Sequence, residues 1–207
     1  MTGDRVTLTE PNETPPRPAV SREQAGRVKT QVIERTDPAV EAQVGAYLSA
    51  APRDHGVCPE HDPRWLAVLR SGLGHRTFMV IARRQVATTD PPGAGRCGSI
   101  CGYLPLAMVS SHLFGRFLVS LPYLNRAGAV ADDPFVAAAL IDEAVDLADR
   151  FDVKYLELRH HADAVEHRAL GKRVDEKVRM VLDLPDDPQF LWANLHSKVR
   201  NQVRKGD

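Results

Sequence analysis

The sequence is poor in several features that would assign a protein to a class at once. It has 3 cysteines, 6% aromatic residues and no run of eighteen or more apolar residues in a chain of 207. An odd and small number of thiols in a chain of this size predicts free cysteines rather than a disulfide framework. Because the first ten residues are polar, unlike a signal peptide, we expect no secretion, no membrane span and a cytoplasmic location.

The chain also lacks an excess of either charge. Lysine and arginine number 27, aspartate and glutamate number 27, and the formal net charge is zero. This balance excludes a protein whose whole surface binds nucleic acid or an anionic membrane, so any site for a polyanion must be local. With 43% hydrophobic residues, the chain can bury the core of one globular domain.

The first 27 residues differ in composition from the rest. Four prolines stand among threonine, glutamate and arginine, with few large apolar side chains: Pro11, Pro15, Pro16 and Pro18. Too little apolar surface is available there to offset the entropy lost on ordering. We therefore predict a disordered leader over residues 1–27 and a domain over residues 28–207.

Asp-Pro dipeptides recur four times ahead of segments with helical periodicity. An aspartate side chain caps a helix, and the proline that follows fixes a helical φ angle. Helices are therefore predicted to begin at Asp37, Asp62, Asp133 and Asp187. The first has apolar residues at three- and four-residue spacing, which indicates one buried face: Val40, Val44, Tyr47 and Leu48.

Runs rich in β-branched and aromatic residues predict the strands. A short strand run at Val32 and Ile33 precedes the first helix, and the other strand runs are residues 77–83, 99–109, 116–122, 154–158 and 177–184. A helical patch is predicted between the last two strands, near residues 162–170. The resulting order is β-α-α-β-β-β-α-β-α-β followed by a C-terminal helix. This order predicts an α/β fold with a GNAT-like mixed sheet flanked by helices.

Two motifs have competing interpretations. Gly93, Gly95 and Gly98 spell G-x-G-x-x-G, but prolines precede them and a strand follows, so the strand-loop-helix context of a dinucleotide site is missing. Cys58, His61, Cys97 and Cys101 could supply a zinc ligand set. The spacing is unfamiliar and small thiols often simply pack, so no metal site is predicted.

The loop over residues 123–133 joins a predicted central strand to a predicted helix, where open α/β sheets bind ligands. Asn125 and Arg126 offer hydrogen-bond donors, and Gly128 lets the backbone approach a ligand closely. Asp132 and Asp133 at the helix start would repel the pyrophosphate of an acyl-CoA. The alternative is a plain strand-to-helix turn.

Other candidate residues lie on the next strand and the last helix. Glu157 and Arg159 alternate along one strand, so both point to one face. His160 and His161 follow them, either as a proton shuttle or as ordinary loop. The last helix is predicted to present one apolar stripe, formed by Leu191, Leu195, Val199 and Val203. Its basic residues Lys198, Arg200 and Arg204 either contact phosphate groups or complement the dipole of their own helix.

Several ungapped blocks, in order between Asp62 and Lys205, resemble FemAB-like proteins, particularly the subgroup associated with exosortase/PEP-CTERM systems. Residues 102–107 read GYLPLA and residues 111–125 read SHLFGRFLVSLPYLN. Three further blocks read LGH at 73–75, YLELR at 155–159 and KVRNQVRK at 198–205, the last preceded by Leu191-Trp192.

The resemblance implies the first GNAT-like lobe of an acyl- or aminoacyltransferase. FemAB proteins move an amino acid from aminoacyl-tRNA to a lipid-linked peptidoglycan precursor, and this subgroup is implied to act in exopolysaccharide or cell-envelope work. Family members carry a second lobe after the basic helix, so we expect that this chain is truncated before that lobe. A second lobe or another copy of the chain would then complete the cleft. The donor, acyl-CoA or aminoacyl-tRNA, and the small-molecule or lipid-linked saccharide acceptor stay open.

Within this interpretation, Tyr123, Asn125, Arg126 and Gly128 would position substrate. Asn125 and Glu157 are the catalytic candidates, Glu157 being the base, and Arg159 would hold an anion. Lys198, Arg200 and Arg204 would contact phosphate. Two other interpretations remain: a non-catalytic binding or assembly module, and an RNA-binding protein that uses the last helix and whose affinity falls steeply with salt.

Overall fold

Within the residues that the computed structural model describes, six strands form one mixed sheet. Those residues are 28–34, 37–52, 56–85, 98–111, 113–160, 167, 169–171 and 184–206. The strands are β1 (Val28–Ile33), β2 (Arg76–Arg84), β3 (Ile100–Ser111), β4 (Gly115–Val119), β5 (Val130–Ala131) and β6 (Tyr155–Glu157). Their order is β1-β2-β3-β4-β6, and β5 pairs with β3. Neighbours are antiparallel except β4 and β6, which are parallel.

Three helices pack on this sheet: α1 (Pro38–Ala50), α2 (Arg64–Leu73) and α3 (Pro134–Arg150). The predicted caps form, because Asp37 accepts the Ala39 N–H at 2.9 Å and Asp133 accepts two N–H groups of the first turn of α3. Asp62 accepts the Arg64 N–H at 2.9 Å, and α2 begins at Arg64. The three predicted helix starts in this part of the chain are therefore confirmed.

The helices cover opposite faces of the sheet. Side chains of α3 bury one face, packing Val136, Leu140, Ala144 and Leu147 against β2, β3 and β4. On the other face, Val44 of α1 and two leucines of α2 pack against Met79, Ile81 and Tyr103. Burying one such aliphatic side chain contributes about 1.5–3 kcal/mol. The predicted class, a mixed α/β fold with a mixed sheet flanked by helices, is confirmed.

One glycine sets how closely α3 approaches the sheet. A Cβ atom at Gly102 in β3 would lie 2.4 Å from Cγ1 of Val136. Real Cβ atoms do not approach so closely, and the Val136 and Leu140 side chains of α3 that face Gly102 are fully buried. Gly102 therefore allows α3 to seal this face of the core.

Several strand bounds differ from the prediction; β1, for example, runs over Val28–Ile33 where only Val32 and Ile33 were predicted. The run predicted over residues 116–122 ends as β4 at Val119, because Leu121 adopts a positive φ of 51° that a strand cannot continue. The short strand β5 was not predicted, because two residues carry no detectable periodicity.

Residues from Leu170 onward form a second compact unit. Its described helices are α4 (Pro188–Asn194) and α5 (Ser197–Gly206). Asp187 caps α4 as predicted, accepting the Gln189 N–H at 2.9 Å. The prediction of one continuous final helix is wrong, because His196 begins a new helix: its Nδ1 accepts the Lys198 N–H and its carbonyl accepts the Val199 N–H.

Several predictions fall on parts of the chain outside the described residues. These are the leader at 1–27, most of the helical patch near 162–170, nearly all of the strand at 177–184, and Gly93, Gly95, Cys97 and His161. They stay predictions. None of the described helices is both long and apolar enough to span a bilayer.

Candidate functional site

The loop over residues 120–129 follows β4 and returns to the chain that leaves β6. The Ser120 N–H donates to the Glu157 carbonyl at 2.9 Å, and the Ser120 hydroxyl accepts the Arg159 N–H at 2.7 Å. The loop therefore begins at the carboxyl ends of the parallel pair β4 and β6. Such ends are where α/β sheets place ligand sites.

Two residues of the loop hold strained backbone. Leu121 has φ 51° and Tyr123 has φ 72°, a left-handed conformation that costs a residue with a Cβ about 1–2 kcal/mol. The Arg159 guanidinium stabilises this turn, because it donates to the Leu124 carbonyl and, at 3.5 Å, to the Leu121 carbonyl. Strain retained in this way is common at functional sites.

The candidate base and the candidate anion-holding residue contact each other. Nε of Arg159 donates to Oε1 of Glu157 at 2.8 Å, so the two side chains share one face as predicted. The Glu157 side chain is 39% exposed, and Oε2 has no partner within the described residues. Oε2 is therefore the oxygen of Glu157 that is available for chemistry.

A buried histidine fastens the loop from the other side. Nδ1 of His61 accepts the Cys58 N–H at 3.1 Å, which places the ring proton on Nε2. Nε2 then donates to the Gly128 carbonyl at 3.0 Å. The Cys58 thiol lies 3.1 Å from Nδ1 of His61 and donates to the Arg126 carbonyl at 3.2 Å. The segment before α2 thus fixes residues 126–128.

Gly128 is enclosed between two histidines. A Cβ there would lie 2.7 Å from Cα of His160, so no larger residue fits without displacing backbone. Nε2 of His160 accepts the Ala129 N–H at 3.2 Å, and the Gly128 N–H donates to the Arg159 carbonyl at 2.9 Å. Close approach is thus the reason for this glycine, and the group that approaches it is His160.

Burial keeps these groups uncharged. It lowers the pKa of both His61 and His160, and the neighbouring His61 ring lowers the pKa of His160 further. Burial also raises the pKa of the Cys58 thiol to about 11, with Glu60 acting in the same direction. A neutral thiol is a weak nucleophile, so the Cys58–His61 contact supports the loop rather than a thiolate reaction.

The described residues hold no group of three or more metal-ligating side chains. Of the four side chains considered for zinc, Cys58 and His61 contact each other. Cys101 is buried in β3, and within the described residues it forms no hydrogen bond with either of them. Cys97 is outside the described part of the chain.

Three side chains of the loop differ in their surroundings. Asn125 is exposed. Tyr123 is 68% exposed, and its hydroxyl lies 3.1 Å from Nε2 of His75, with the two rings stacked at 5.9 Å. Nε of Arg126 is buried, and no described residue hydrogen-bonds to it. The loop therefore exposes an amide and a phenol, and it holds one buried guanidinium nitrogen that has no partner among the described residues.

The N-terminus of α3 is already occupied by side chains of this chain. Asp133 accepts the Phe135 and Val136 N–H groups at 2.9 and 3.0 Å, and Arg84 pairs with Asp133 at 2.9 Å. Partial burial raises the pKa of Asp133, but the bonds from Val136 and Arg84 outweigh this and lower it. A carboxylate thus takes the position that a phosphate would need.

The basic candidates lie in the second unit, on α5. Lys198 is exposed. The Arg200 guanidinium donates to the Trp192 and Ala193 carbonyls at 3.4 and 3.1 Å, and so caps the end of α4. Arg204 lies over the Trp192 ring at 5.5 Å, a cation–π contact. Arg200 and Arg204 therefore have internal contacts, and their phosphate contacts stay predictions.

No sequence pattern predicts that His61 and His160 enclose Gly128. The residue types of the segment Cys58-Pro-Glu-His61 point only to part of a zinc ligand set, with Cys97 and Cys101 as the other members. Its hydrogen bonds reach residues 65 or more positions away, at Arg126 and Gly128. No periodicity or spacing in one sequence encodes such a contact.

The comparisons with known proteins include a likeness to a solved structure. The sequence matches no family model and no curated protein. Among solved structures, the fold is similar to a GNAT family acetyltransferase of Staphylococcus aureus subsp. aureus, with TM-score 0.43 and 11% identity, over 76% of this chain and 99% of that one. At this identity no residue role is transferred to the present chain.

Proposed function

We propose that this chain is a FemAB-type acyl- or aminoacyltransferase lobe that acts on a cell-envelope or exopolysaccharide precursor, in the cytoplasm. The loop over residues 120–129 would hold the reacting groups. The observation that carries the proposal is this loop: it is strained at Leu121 and Tyr123, anchored by Arg159 and His61, and exposes Asn125 at the carboxyl ends of β4 and β6. Anchoring of this kind holds a binding site in place.

The start of α3 favours a donor other than acyl-CoA. A helix N-terminus attracts a pyrophosphate only when its N–H groups and its dipole are unoccupied. Asp133 accepts two of those N–H groups, and Asp132 lies beside it, accepting the Tyr47 hydroxyl at 3.1 Å. An aminoacyl ester, which needs no pyrophosphate cradle, agrees better with this arrangement.

The reaction would form one bond and break one. An acceptor amine attacks the ester carbonyl, a C–N bond forms, and the C–O bond to the donor breaks, so that the donor oxygen leaves with a proton. Oε2 of Glu157 would take the proton lost by the amine and pass it to the departing oxygen, and Asn125 would donate a hydrogen bond to the developing oxyanion. Arg159 would orient Glu157 through its 2.8 Å contact with Oε1.

A transfer assay tests this proposal. The purified chain is incubated with aminoacyl-tRNA or acetyl-CoA, and with a lipid-linked muropeptide or oligosaccharide acceptor. We expect transfer from aminoacyl-tRNA, reduced at least ~100-fold in Glu157→Gln and in Asn125→Ala. Asp146→Asn, an exposed carboxylate change on α3, serves as the matched control and should leave the rate unchanged.

One observation favours the non-catalytic module instead. Glu157 and Arg159 bond to each other, and Arg159 also bonds to the loop carbonyls, so both groups have structural roles. If none of the probes is turned over while the acceptor still binds and Asn125→Ala weakens that binding, the module interpretation is correct. Transfer from acetyl-CoA alone would contradict the proposed donor. Equal transfer by Glu157→Gln and the native chain would contradict the proposed base.

A further inference from the structure

The last helix, α5, carries an exposed row of apolar side chains. Val199 and Val203 lie four residues apart, so they occupy one face of the helix. They are 44% and 45% exposed, and no residue of α5 is buried. The apolar face of this amphipathic helix is therefore accessible to a partner.

Basic side chains border this row on both sides. With about 3.6 residues per turn, Lys198 and Lys205 fall on one side of the valines. Arg200 and Arg204 fall on the other side, where Arg200 caps α4 and Arg204 lies over the Trp192 ring at 5.5 Å. An apolar centre with cations at its margins is typical of a helix that lies in the interface of a membrane.

The positive charge of α5 has no counterion in the structure. Residues 188–206 contain four lysines and arginines and no aspartate or glutamate. Within the described residues, none of the four takes part in an ion pair. The contacts of Arg200 and Arg204 are with carbonyl groups and an aromatic ring, so their charge is not neutralised. Because the whole chain has zero net charge, α5 is a local positive patch that an anionic surface complements.

Two aromatic side chains of α4 extend the apolar part of this surface. Trp192 is partly buried beneath Arg204, and Phe190 is 61% exposed. An indole combines an apolar body with a polar N–H group, which suits it to the boundary between lipid headgroups and acyl chains. The second unit therefore offers both charge and apolar area to a bilayer.

Two other kinds of partner agree less well with these residues. A nucleic acid would engage the cations through its phosphates, but the exposed Val199 and Val203 would gain nothing from it. A protein groove recognises an amphipathic helix by apolar anchors repeated over several turns, whereas this row consists of two valines. A membrane surface accommodates both features, because small apolar groups enter it while long basic side chains reach the headgroups.

We propose that α5, together with Trp192, binds the surface of an anionic phospholipid bilayer. Val199 and Val203 enter the headgroup region, and Lys198, Lys205 and the two arginines contact lipid phosphates. The helix lies along the surface, since none of the described helices is long and apolar enough to span a bilayer. This binding does not depend on the proposed transfer reaction, and its test measures binding alone.

Vesicles of phosphatidylglycerol and phosphatidylcholine in equal amounts are the probe, compared with vesicles of phosphatidylcholine alone. Binding of the full chain is measured by co-sedimentation and by tryptophan fluorescence in a Trp65→Phe background, which leaves Trp192 as the reporter. We expect binding to the mixed vesicles with a blue shift of the Trp192 emission, and at least ~10-fold weaker binding to phosphatidylcholine. Added salt should weaken the binding to the mixed vesicles.

A pair of double variants tests the charge. Lys198→Gln with Lys205→Gln should weaken vesicle binding by about 25-fold, which is about 5-fold for each charge. Lys29→Gln with Arg150→Gln removes the same charge from exposed positions of the first unit. That control should bind within about 2-fold of the native chain, because charges that do not reach the surface are screened.

A second comparison tests the apolar row. Val199→Ala with Val203→Ala should weaken vesicle binding by at least ~5-fold, because apolar area that enters the bilayer is lost. Val68→Ala changes an exposed valine of α2 and should leave the binding unchanged. All of these side chains are exposed, so an unchanged Tm in each variant shows that a loss of binding is not a loss of folding.

The proposal is overturned if the mixed vesicles do not bind, if phosphatidylcholine binds equally well, or if either double variant of α5 binds no worse than its control. A single-stranded RNA oligonucleotide is the second probe. RNA binding that is tighter than vesicle binding and insensitive to the valine changes would overturn it in favour of a nucleic-acid surface. Soluble glycerophosphoglycerol should not displace the chain from vesicles, and displacement would replace the bilayer surface by a pocket for one headgroup.

Discussion

Nε2 of His61 lies 3.0 Å from the carbonyl oxygen of Gly128 and donates a hydrogen bond to it. This bond joins the turn before α2 to the loop after β4. With the Cys58 N–H on Nδ1, both ring nitrogens of a buried imidazole are used inside the protein. His61, which is far from the loop in the sequence, therefore helps to fix the position of the loop.

The first prediction concerns this histidine. His61→Ala leaves the Gly128 carbonyl and the Cys58 N–H unsatisfied in a buried place, so we expect the free energy of unfolding to fall by about 2–4 kcal/mol. Urea denaturation measures the change. His75→Ala, which removes a contact with the exposed Tyr123, should cost less than about 1 kcal/mol. Equal losses in the two variants would show that His61 does not fasten the loop.

The second prediction concerns Gly128. In Gly128→Ala the new methyl group would lie 2.7 Å from Cα of His160, so backbone must move and we expect a loss of about 1–3 kcal/mol. Gly72→Ala is the matched control, because nothing lies within 4 Å of its Cβ position in α2. That change should stabilise by about 0.5–1 kcal/mol. A stable Gly128→Ala protein would disprove the close packing.

The third prediction is a pH dependence. In the folded state, burial lowers the pKa of His61 and of His160. In the unfolded state each histidine has its ordinary pKa near 6.5, so the unfolded chain binds more protons than the folded one as the pH falls toward and below that value. The free energy of unfolding should therefore decrease as pH falls below about 7, by up to about 1.4 kcal/mol per pH unit for each histidine.

The same titration has an internal control. His160→Gln keeps an acceptor for the Ala129 N–H but cannot titrate, so the slope should become smaller. The lowered pKa of Asp133 affects stability only in a more acidic range, so it does not confuse the result. An identical slope in the native chain and in His160→Gln would remove His160 from this account.

The fourth prediction concerns the cap of α3. Asp133→Ala removes the acceptor of two N–H groups and the partner of Arg84, so thermal or urea unfolding should show a loss of about 1–2 kcal/mol. Asp133→Ser keeps a capping oxygen and should retain most of that stability. A serine variant as unstable as the alanine variant would mean that the ion pair with Arg84, and not the cap, is the important contact.

The local elements were predictable because their signals are local. An aspartate followed by proline favours a helix start through contacts within a few residues, and Asp37, Asp133 and Asp187 all cap helices in this way. Glu157 and Arg159 do share one face as expected, although β6 ends at Glu157, because their side chains form an ion pair at 2.8 Å. The single final helix failed at His196, whose side chain and carbonyl bond to the next turn, a competition that periodicity does not register.

The amino-acid sequence by itself determined the helix caps, the main helices and strands of the sheet and hence the mixed α/β class, because these depend on backbone preferences within a few residues. Only the tertiary structure decided that His61 and His160 enclose Gly128 and that Arg159 holds a strained turn. These relationships join residues more than thirty positions apart, and burial, which gives them their energy, exists only after the chain has folded.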